Sequence, residues 1–270
     1  MEFLVDSVIF SLIVGAAVGF AAGYLGSIMV LEKMALVGDA MSHVALPGLA
    51  LGALLNFSPL VGGFIFLFIS AILVWYLGRV TKLSFETLVG AAFTLALAIG
   101  ILLYGDRLDE LEAALFGDIA KVDLTYAMIA VVISLTVIFL TRLIYRKIVL
   151  SLISEELAIA KGINVARTNL LYLLLVSATV AIGIQVTGTL LVGFLVVTPA
   201  AAARIISSNL SRYFILSAIF GAVSAIIGIA LSNFSSILLG QNILPGPLVV
   251  ISGVAIFAVV LVIRWRKKMT

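Results

Sequence analysis

The 270-residue chain is 64% hydrophobic and only 11% charged, with one histidine and no cysteine. Soluble domains carry about 25% charged residues, and a chain of this length could not bury so much apolar surface, so the composition excludes a soluble fold. The lack of cysteine excludes disulfides, thiolate metal sites and a cysteine nucleophile. The net charge of +3 does not indicate nucleic-acid binding, because the basic residues fall in short loops and at the C-terminus.

Several apolar runs reach or approach the roughly 20 residues that a helix needs to cross a bilayer core. Their period is about 3.6 residues and lacks the ten-residue alternation of a β-barrel, which predicts an all-α, polytopic integral membrane protein. We read residues 1–270 as a single transmembrane domain. About nine spans are expected, with eight possible and some interrupted: 7–31, 42–57, 59–78, 86–104, 124–145, 169–186, 188–206, 212–232 and 247–265.

Small residues and proline mark the first two spans. The early position of Pro47 and Gly48 in the second span predicts a kinked or interrupted helix. A spacing of three or four residues between small side chains predicts close helix packing in the first span, at Gly15, Gly19, Gly23 and Gly26.

Polar residues also occur among the apolar runs in the second half of the chain. The stretch 233–247 is rich in polar residues, proline and glycine, and it is expected to be an outer loop or a re-entrant segment shielded from lipid. Gln185 and Asn233 are expected to hydrogen-bond across helices as structural contacts.

The charges of the loops predict the orientation in the membrane. The stretch 105–123 contains six acidic and two basic residues, whereas 142–168 contains five basic residues and the chain ends in RWRKKMT. Basic loops belong in the cytoplasm. We therefore expect the N-terminus outside and the C-terminus inside, with a solvated acidic outer face at 105–123.

Asp39 and the only histidine, His43, stand four residues apart and would share one face of a helix. Ionisable groups at membrane depth are costly and tend to line a polar pathway. Carboxylate and imidazole together suit zinc, manganese or ferrous iron. Two ligands are too few for a tight site, but a symmetric dimer would supply two more across its axis.

A structural explanation of the same pair stays open at this point. Asp39 could cap a helix that begins at Ala40 or Met41, and His43 could be a satisfied interfacial histidine. The alternation of the spans also puts the pair nearer the cytoplasmic end than the centre of the membrane.

The loop after the fifth span predicts a short surface helix near 154–162. Ser154 can cap its start, Glu155 and Glu156 fall in its first turn, and Gly162 can end it. A helix standing between two spans could transmit movement from a partner, or it could simply contact lipid headgroups.

Motifs for nucleotide binding and catalysis are absent from the sequence. The chain lacks a GxxxxGK[ST] phosphate loop, a catalytic triad and an HExxH zinc motif. We therefore expect a protein that is not an enzyme by itself, has no permanently bound cofactor, and takes its energy from a partner if it is driven by ATP.

The sequence resembles the membrane permeases of ABC importers for manganese, zinc and iron. The most specific block is MALVGDAMSH at 34–43 with LPGLALG at 46–52, which contains Gly38, Asp39, Ser42, His43, Pro47 and Gly48. Weaker blocks follow in the same order along the chain: LFGDI at 115–119, GTLLVG at 188–193, TPAAAAR at 198–204 with Pro199, and LPGP at 244–247.

The resemblance implies a homodimeric channel in a prokaryotic cell (inner) membrane, with two cytoplasmic ATPase subunits and an extracellular solute-binding protein that delivers the ion. It also implies that Asp39 and His43 contact the transported metal, and that the 154–162 helix couples to the ATPases through a Glu155-x-x-Ala158-x-x-x-Gly162 pattern with Glu156. Alternating access around the two-fold axis is the expected mechanism.

Two other functions remain open. A secondary, ion-coupled transporter could use Asp39 and His43 as a proton relay and would need no ATPase. An ABC permease for a metal chelate would not need this pair at membrane depth.

Overall fold

The computed structural model describes residues 2–117, 122–239 and 243–269, and every regular element within these ranges is an α-helix. Runs of Leu, Ile, Val and Ala favour helix at these lengths, and a helix satisfies all its backbone groups in lipid. The elements are α1 Glu2–Leu31, α2 Ala35–Val44, α3 Leu46–Leu54, α4 Pro59–Thr81, α5 Phe85–Tyr104, α6 Leu108–Phe116, α7 Leu124–Ile153, α8 Glu155–Ala160, α9 Val165–Thr187, α10 Thr189–Ile206, α11 Leu210–Leu239 and α12 Pro245–Met269.

Eight segments are long and apolar enough to cross a membrane among the residues that the structure describes. The second of them, Val37–Leu54, combines α2 and α3, while the shorter apolar helix Val192–Ile206 lies within α10. The prediction of an all-α, polytopic membrane protein is confirmed. The predicted span 188–206 corresponds to this shorter helix.

The break in the second span lies two residues before its expected position. α2 ends at Val44 and α3 begins at Leu46, so the irregular residue is Ala45 and not the Pro47–Gly48 pair. Pro47 falls in the first turn of α3, where a missing backbone N–H removes no helical hydrogen bond. Pro47 therefore belongs to the first turn of α3 and does not cause the break.

Two other boundaries differ from the sequence-based expectation. α11 continues to Leu239, so residues 233–239 are helical and not an outer loop, while 240–242 lie outside the described residues. α7 extends to Ile153, past the predicted end at 145, because no glycine or proline interrupts it before Ser154. Asn233 donates to the carbonyl of Ile229 on its own helix, 2.9 Å away, and not across helices.

Close approach of α1 to its neighbours forms the centre of the bundle. A side chain at Gly19 would collide with the backbone of Gly221 on α11, and one at Gly26 would collide with the Val196 carbonyl on α10. The prediction that the α1 glycines allow close packing is confirmed. Such contacts replace the hydrophobic driving force that helices lack in lipid.

Most basic side chains of the described loops lie at one end of the bundle. The Trp75 indole near the end of α4 donates to the Ala166 carbonyl at the start of α9, 2.7 Å away, and lies under the Arg79 guanidinium. One cavity at this end touches the last turns of α1 and α7, the first turn of α5 and the second and third turns of α9. We call this side, with Lys33, Arg79, Lys82, Lys161 and Arg167, the basic end, and the opposite side, with Asp106, Asp109, Glu110, Glu112 and Asp123, the acidic end.

Candidate functional site

Asp39 and His43 occupy the fifth and ninth positions of α2, a helix of ten residues. The helix begins at Ala35, and the residue before it, Met34, makes no side-chain capping hydrogen bond. Asp39 therefore lies inside the helix, and the interpretation of Asp39 as a helix cap is wrong. The structure leaves its carboxylate without any role in stabilising the end of α2.

The pair lies deeper in the bundle than the alternation of spans indicated. The His43 ring lies 5.2 Å from the ring of Phe93, which is eight residues from the basic end of α5 and eleven from its other end. Asp39 packs beside Gly193, only four residues from the acidic end of α10. α2 begins directly after a tight turn at Lys33, which has φ of +61°, so one short half-helix brings both side chains towards the middle of the span.

The two side chains have different surroundings. The His43 side chain is buried, with 9% of its surface exposed, and its Nδ1 atom has no hydrogen-bond partner in the described chain. Asp39 is exposed on the surface of the single protomer and forms no ion pair with His43. An orphaned buried nitrogen is unusual because nearly all such atoms are hydrogen-bonded. Both groups therefore retain free capacity for a ligand.

A single protomer supplies only part of a metal site. Among the residues that the structure describes, no group of three or more His, Cys, Asp or Glu side chains could hold a metal ion. Zinc usually takes four ligands, and manganese and ferrous iron take more. The exposed position of Asp39 leaves room for further ligands from outside this chain.

Separate sequence blocks meet around the pair. A Cβ atom on Gly193 would lie 2.8 Å from the Asp39 carboxylate, so only glycine lets α10 approach α2 this closely. Gly38, one residue earlier, faces Met29 of α1 and Val196 of α10. At the acidic end, Gly188 has φ of +77° and lies against the backbone of Leu115 at the end of α6.

The other residues of the first block shape the helices. The buried Ser42 hydroxyl donates to the Asp39 carbonyl at 2.6 Å, which satisfies it within α2. Gly48 of α3 and Gly62 of α4 approach so closely that a side chain on either would meet the other's carbonyl. Pro199 lies inside α10, where it removes one helical hydrogen bond.

The predicted short helix is present as α8, on the basic side of the bundle between α7 and α9. The backbone N–H of Leu157 donates to the Ser154 hydroxyl at 3.1 Å, which caps the start. Gly162 has φ of +75°, and the N–H groups of Gly162 and Ile163 donate to the carbonyls of Ile159 and Ala158, a Schellman ending.

The two faces of α8 differ. Ala158 is fully buried against the bundle, whereas Glu155 and Glu156 are exposed. Two apolar side chains are exposed as well, Leu157 at 45% and Ile159 at 59%. The helix thus offers a mixed acidic and apolar surface away from the spans.

The structure also contains a cavity at the acidic end that the sequence did not indicate. It has a volume of about 480 Å³ and is formed by α3, α4, α5, α6 and α9. Its polar lining includes Ser58, Tyr104, Glu110 and Gln185. Part of the acidic stretch 105–123 therefore faces a recess between helices and not only bulk solvent.

Comparisons with known proteins agree over nearly the whole chain. The model of the "ABC 3 transport family" matches residues 2–264. The manganese transport system membrane protein MntC of Listeria monocytogenes is 31% identical over 224 residues, covering 82% of this chain and 80% of that protein. The high-affinity zinc uptake system membrane protein ZnuB of Haemophilus influenzae is 31% identical over 265 residues, covering 95% and 97%. The solved structure of PsaBC from Streptococcus pneumoniae in complex with a Fab has a TM-score of 0.79 at 28% identity, covering 96% of this chain and 91% of that chain.

Proposed function

This chain belongs to the ABC 3 transport family, and we propose that it is the permease subunit of an ATP-driven importer of manganese, zinc or iron ions. The resemblance seen in the sequence is confirmed at the level of the family, so the chain is a membrane permease and not an ATPase. Two relatives named above carry manganese transport and zinc uptake in their names. The similarity of this chain to both relatives supports a divalent transition-metal ion as its substrate.

The unpartnered Nδ1 of buried His43, one turn from the Asp39 carboxylate near the middle of the bundle, is the observation that carries the proposal. A buried imidazole nitrogen without a hydrogen bond costs free energy unless a ligand occupies it. The Asp39 carboxylate is exposed on the single protomer and forms no ion pair with any described residue, so it can accept a cation. A divalent cation would satisfy both groups at once.

A homodimer completes the site in this proposal. Two copies of Asp39 and His43 facing each other across a two-fold axis would give two carboxylates and two imidazoles, which is a donor set suited to zinc, manganese or ferrous iron. The exposure of Asp39 on the single protomer supports a position next to a second copy. The chain would then form one permease domain, with the ion on the axis.

The basic end would face the cytoplasm and carry the connection to two ATPase subunits. The exposed side chains Glu155, Glu156, Leu157 and Ile159 on α8 supply a surface for such a contact, while buried Ala158 and the turn at Gly162 attach the helix to the bundle. The acidic end would face the solute-binding protein. ATP binding and hydrolysis would move α8, rock the two protomers and open the ion site to the inside.

We expect Asp39→Asn to abolish uptake of manganese and zinc while leaving assembly intact, because the amide keeps the shape of the side chain and loses its charge. Uptake into proteoliposomes that contain the whole transporter measures this. Glu86→Gln, which neutralises an exposed acid at the start of α5, is the matched control and should transport normally. Normal uptake by Asp39→Asn would exclude the proposed site.

The two competing functions give different results. A secondary transporter would support uptake without any copurifying ATPase subunit. A permease for metal chelates would still transport its chelate after Asp39→Ala. The number of metal ions retained by the purified dimer distinguishes the cases directly. The wild-type dimer should retain one ion that His43→Ala loses. Equal retention would mean that Asp39 and His43 have only a structural role.

A further inference from the structure

A second cavity, of about 170 Å³, lies at the basic end, where the turn between α1 and α2 meets α5, α7 and α9. We call it the basic-end cavity. Three of its lining side chains carry oxygen atoms: Glu32 in the turn, and Asn169 and Tyr172 on α9. Neither Asp39 nor His43 lines it. The remaining lining is apolar or thioether: Met29, Met34, Val37, Phe85, Leu152 and Leu173.

Two of the oxygen-bearing groups lack a protein partner. The side chain of Tyr172 is only 4% exposed, and its hydroxyl makes no hydrogen bond within the described chain. Glu32 is partly buried and forms no ion pair with any described residue. A charged carboxylate in this partly buried position is costly unless a cation compensates it.

We propose that the basic-end cavity is a divalent-cation site, separate from the Asp39–His43 pair, for an ion that prefers oxygen ligands, such as Mn²⁺ or Mg²⁺. The Glu32 carboxylate, the Asn169 amide oxygen and the Tyr172 hydroxyl would be its protein ligands. Carboxylate, carbonyl and water oxygens suit these ions, and the cavity contains neither imidazole nor thiolate. Its volume leaves room for several waters to complete the coordination shell.

The position of the cavity connects it to the moving parts of the protein. Glu32 lies in the turn that precedes α2, and Leu152 lies two residues before Ser154, which caps α8. An ion bound to Glu32 and to α9 would tie that turn to the rest of the bundle. Occupancy of this site would therefore restrict α2, which carries Asp39 and His43.

The test is Mn²⁺ binding to the purified full-length chain, followed by the loss of the electron paramagnetic resonance signal of free Mn²⁺. An Asp39→Asn background removes the other candidate site. In that background we expect one Mn²⁺ per protomer, an affinity about tenfold or more weaker after Glu32→Gln, and a smaller weakening after Tyr172→Phe. Glu86→Gln should change nothing, and competition by MgCl₂ identifies which of the two ions the site favours.

Equal Mn²⁺ binding by Asp39→Asn and by Asp39→Asn combined with Glu32→Gln would overturn the proposal. So would an Asp39→Asn protein that is folded by size-exclusion chromatography yet binds no Mn²⁺, because the groups would then be satisfied by water and a protonated Glu32. Failure of the Asp39–His43 site is distinguishable. In that case wild type and Asp39→Asn would bind the same number of ions, and the dependence on Glu32 would persist.

Discussion

The helices α2 and α8 are both short, with ten and six residues, but they are held in place by different means. α8 is stabilised locally, by the Ser154 cap at its start and the glycine turn at Gly162. α2 has no side-chain cap, and its position depends on neighbours such as Gly193 and Phe93. A change to a neighbour should therefore disturb α2 strongly, whereas changes within α8 should have modest and local effects.

The largest effect is expected from Gly193→Ala. The added methyl group would collide with the backbone of Asp39 and force α2 and α10 apart, at a cost of about 3 kcal/mol in the free energy of unfolding. Because the shift displaces Asp39, metal retention and uptake should also be lost. Thermal unfolding in detergent and metal analysis of the purified protein measure both changes.

Gly90→Ala is the control for this substitution. Gly90 lies within α5, and a Cβ atom there would meet nothing within 4 Å. Alanine favours helix over glycine, so the control should be neutral or more stable by up to about 1 kcal/mol. If Gly193→Ala behaves like Gly90→Ala, then α2 does not depend on this contact.

An intermediate effect, with a pH dependence, is expected at the turn before α2. The pKa of Glu32 is raised from about 4.5 to about 7 by burial, so the folded protein holds a proton that the unfolded chain has already lost between these values. The stability of wild type relative to Glu32→Gln should therefore fall as the pH rises from about 4.5 to about 7, by up to about 3 kcal/mol. Among the residues that the structure describes, Tyr172 is the only other titratable group that lines the cavity, and the neighbouring Lys33 is exposed.

Thermal unfolding in the presence of a chelator checks this prediction. The difference between wild type and Glu32→Gln should then grow with pH and level off above about 7. A difference that is independent of pH would mean that Glu32 titrates normally. The addition of Mn²⁺ should restore the stability of wild type at high pH if the basic-end cavity binds the ion.

The contrast between the two helices also explains what the sequence could reveal. The spans and the ends of α8 were predictable because hydrophobic periodicity and capping by Ser154 and Gly162 act over a few residues. The depth of His43 and the presence of the basic-end cavity were not predictable from the sequence, because both arise where several helices meet. Likewise the break at Ala45 was misplaced by two residues, since proline is tolerated in the first turn of a helix and does not mark its end.

The smallest effect is expected from Gly162→Ala. A residue with a side chain costs about 1 kcal/mol more than glycine at φ of +75°, and this would loosen the end of α8 without moving the spans. If α8 couples the permease to its ATPases, transport per ATP hydrolysed should fall while metal binding stays unchanged. Asn56→Ala is the control, because Asn56 also has positive φ, at +56°, and is exposed in the loop between α3 and α4, away from α8. It lies at the acidic end, so it should share the small loss of stability and keep normal coupling. Equal coupling in the two variants would show that the local geometry of α8 does not control energy transfer, and the difference between α2 and α8 would then be one of stability alone.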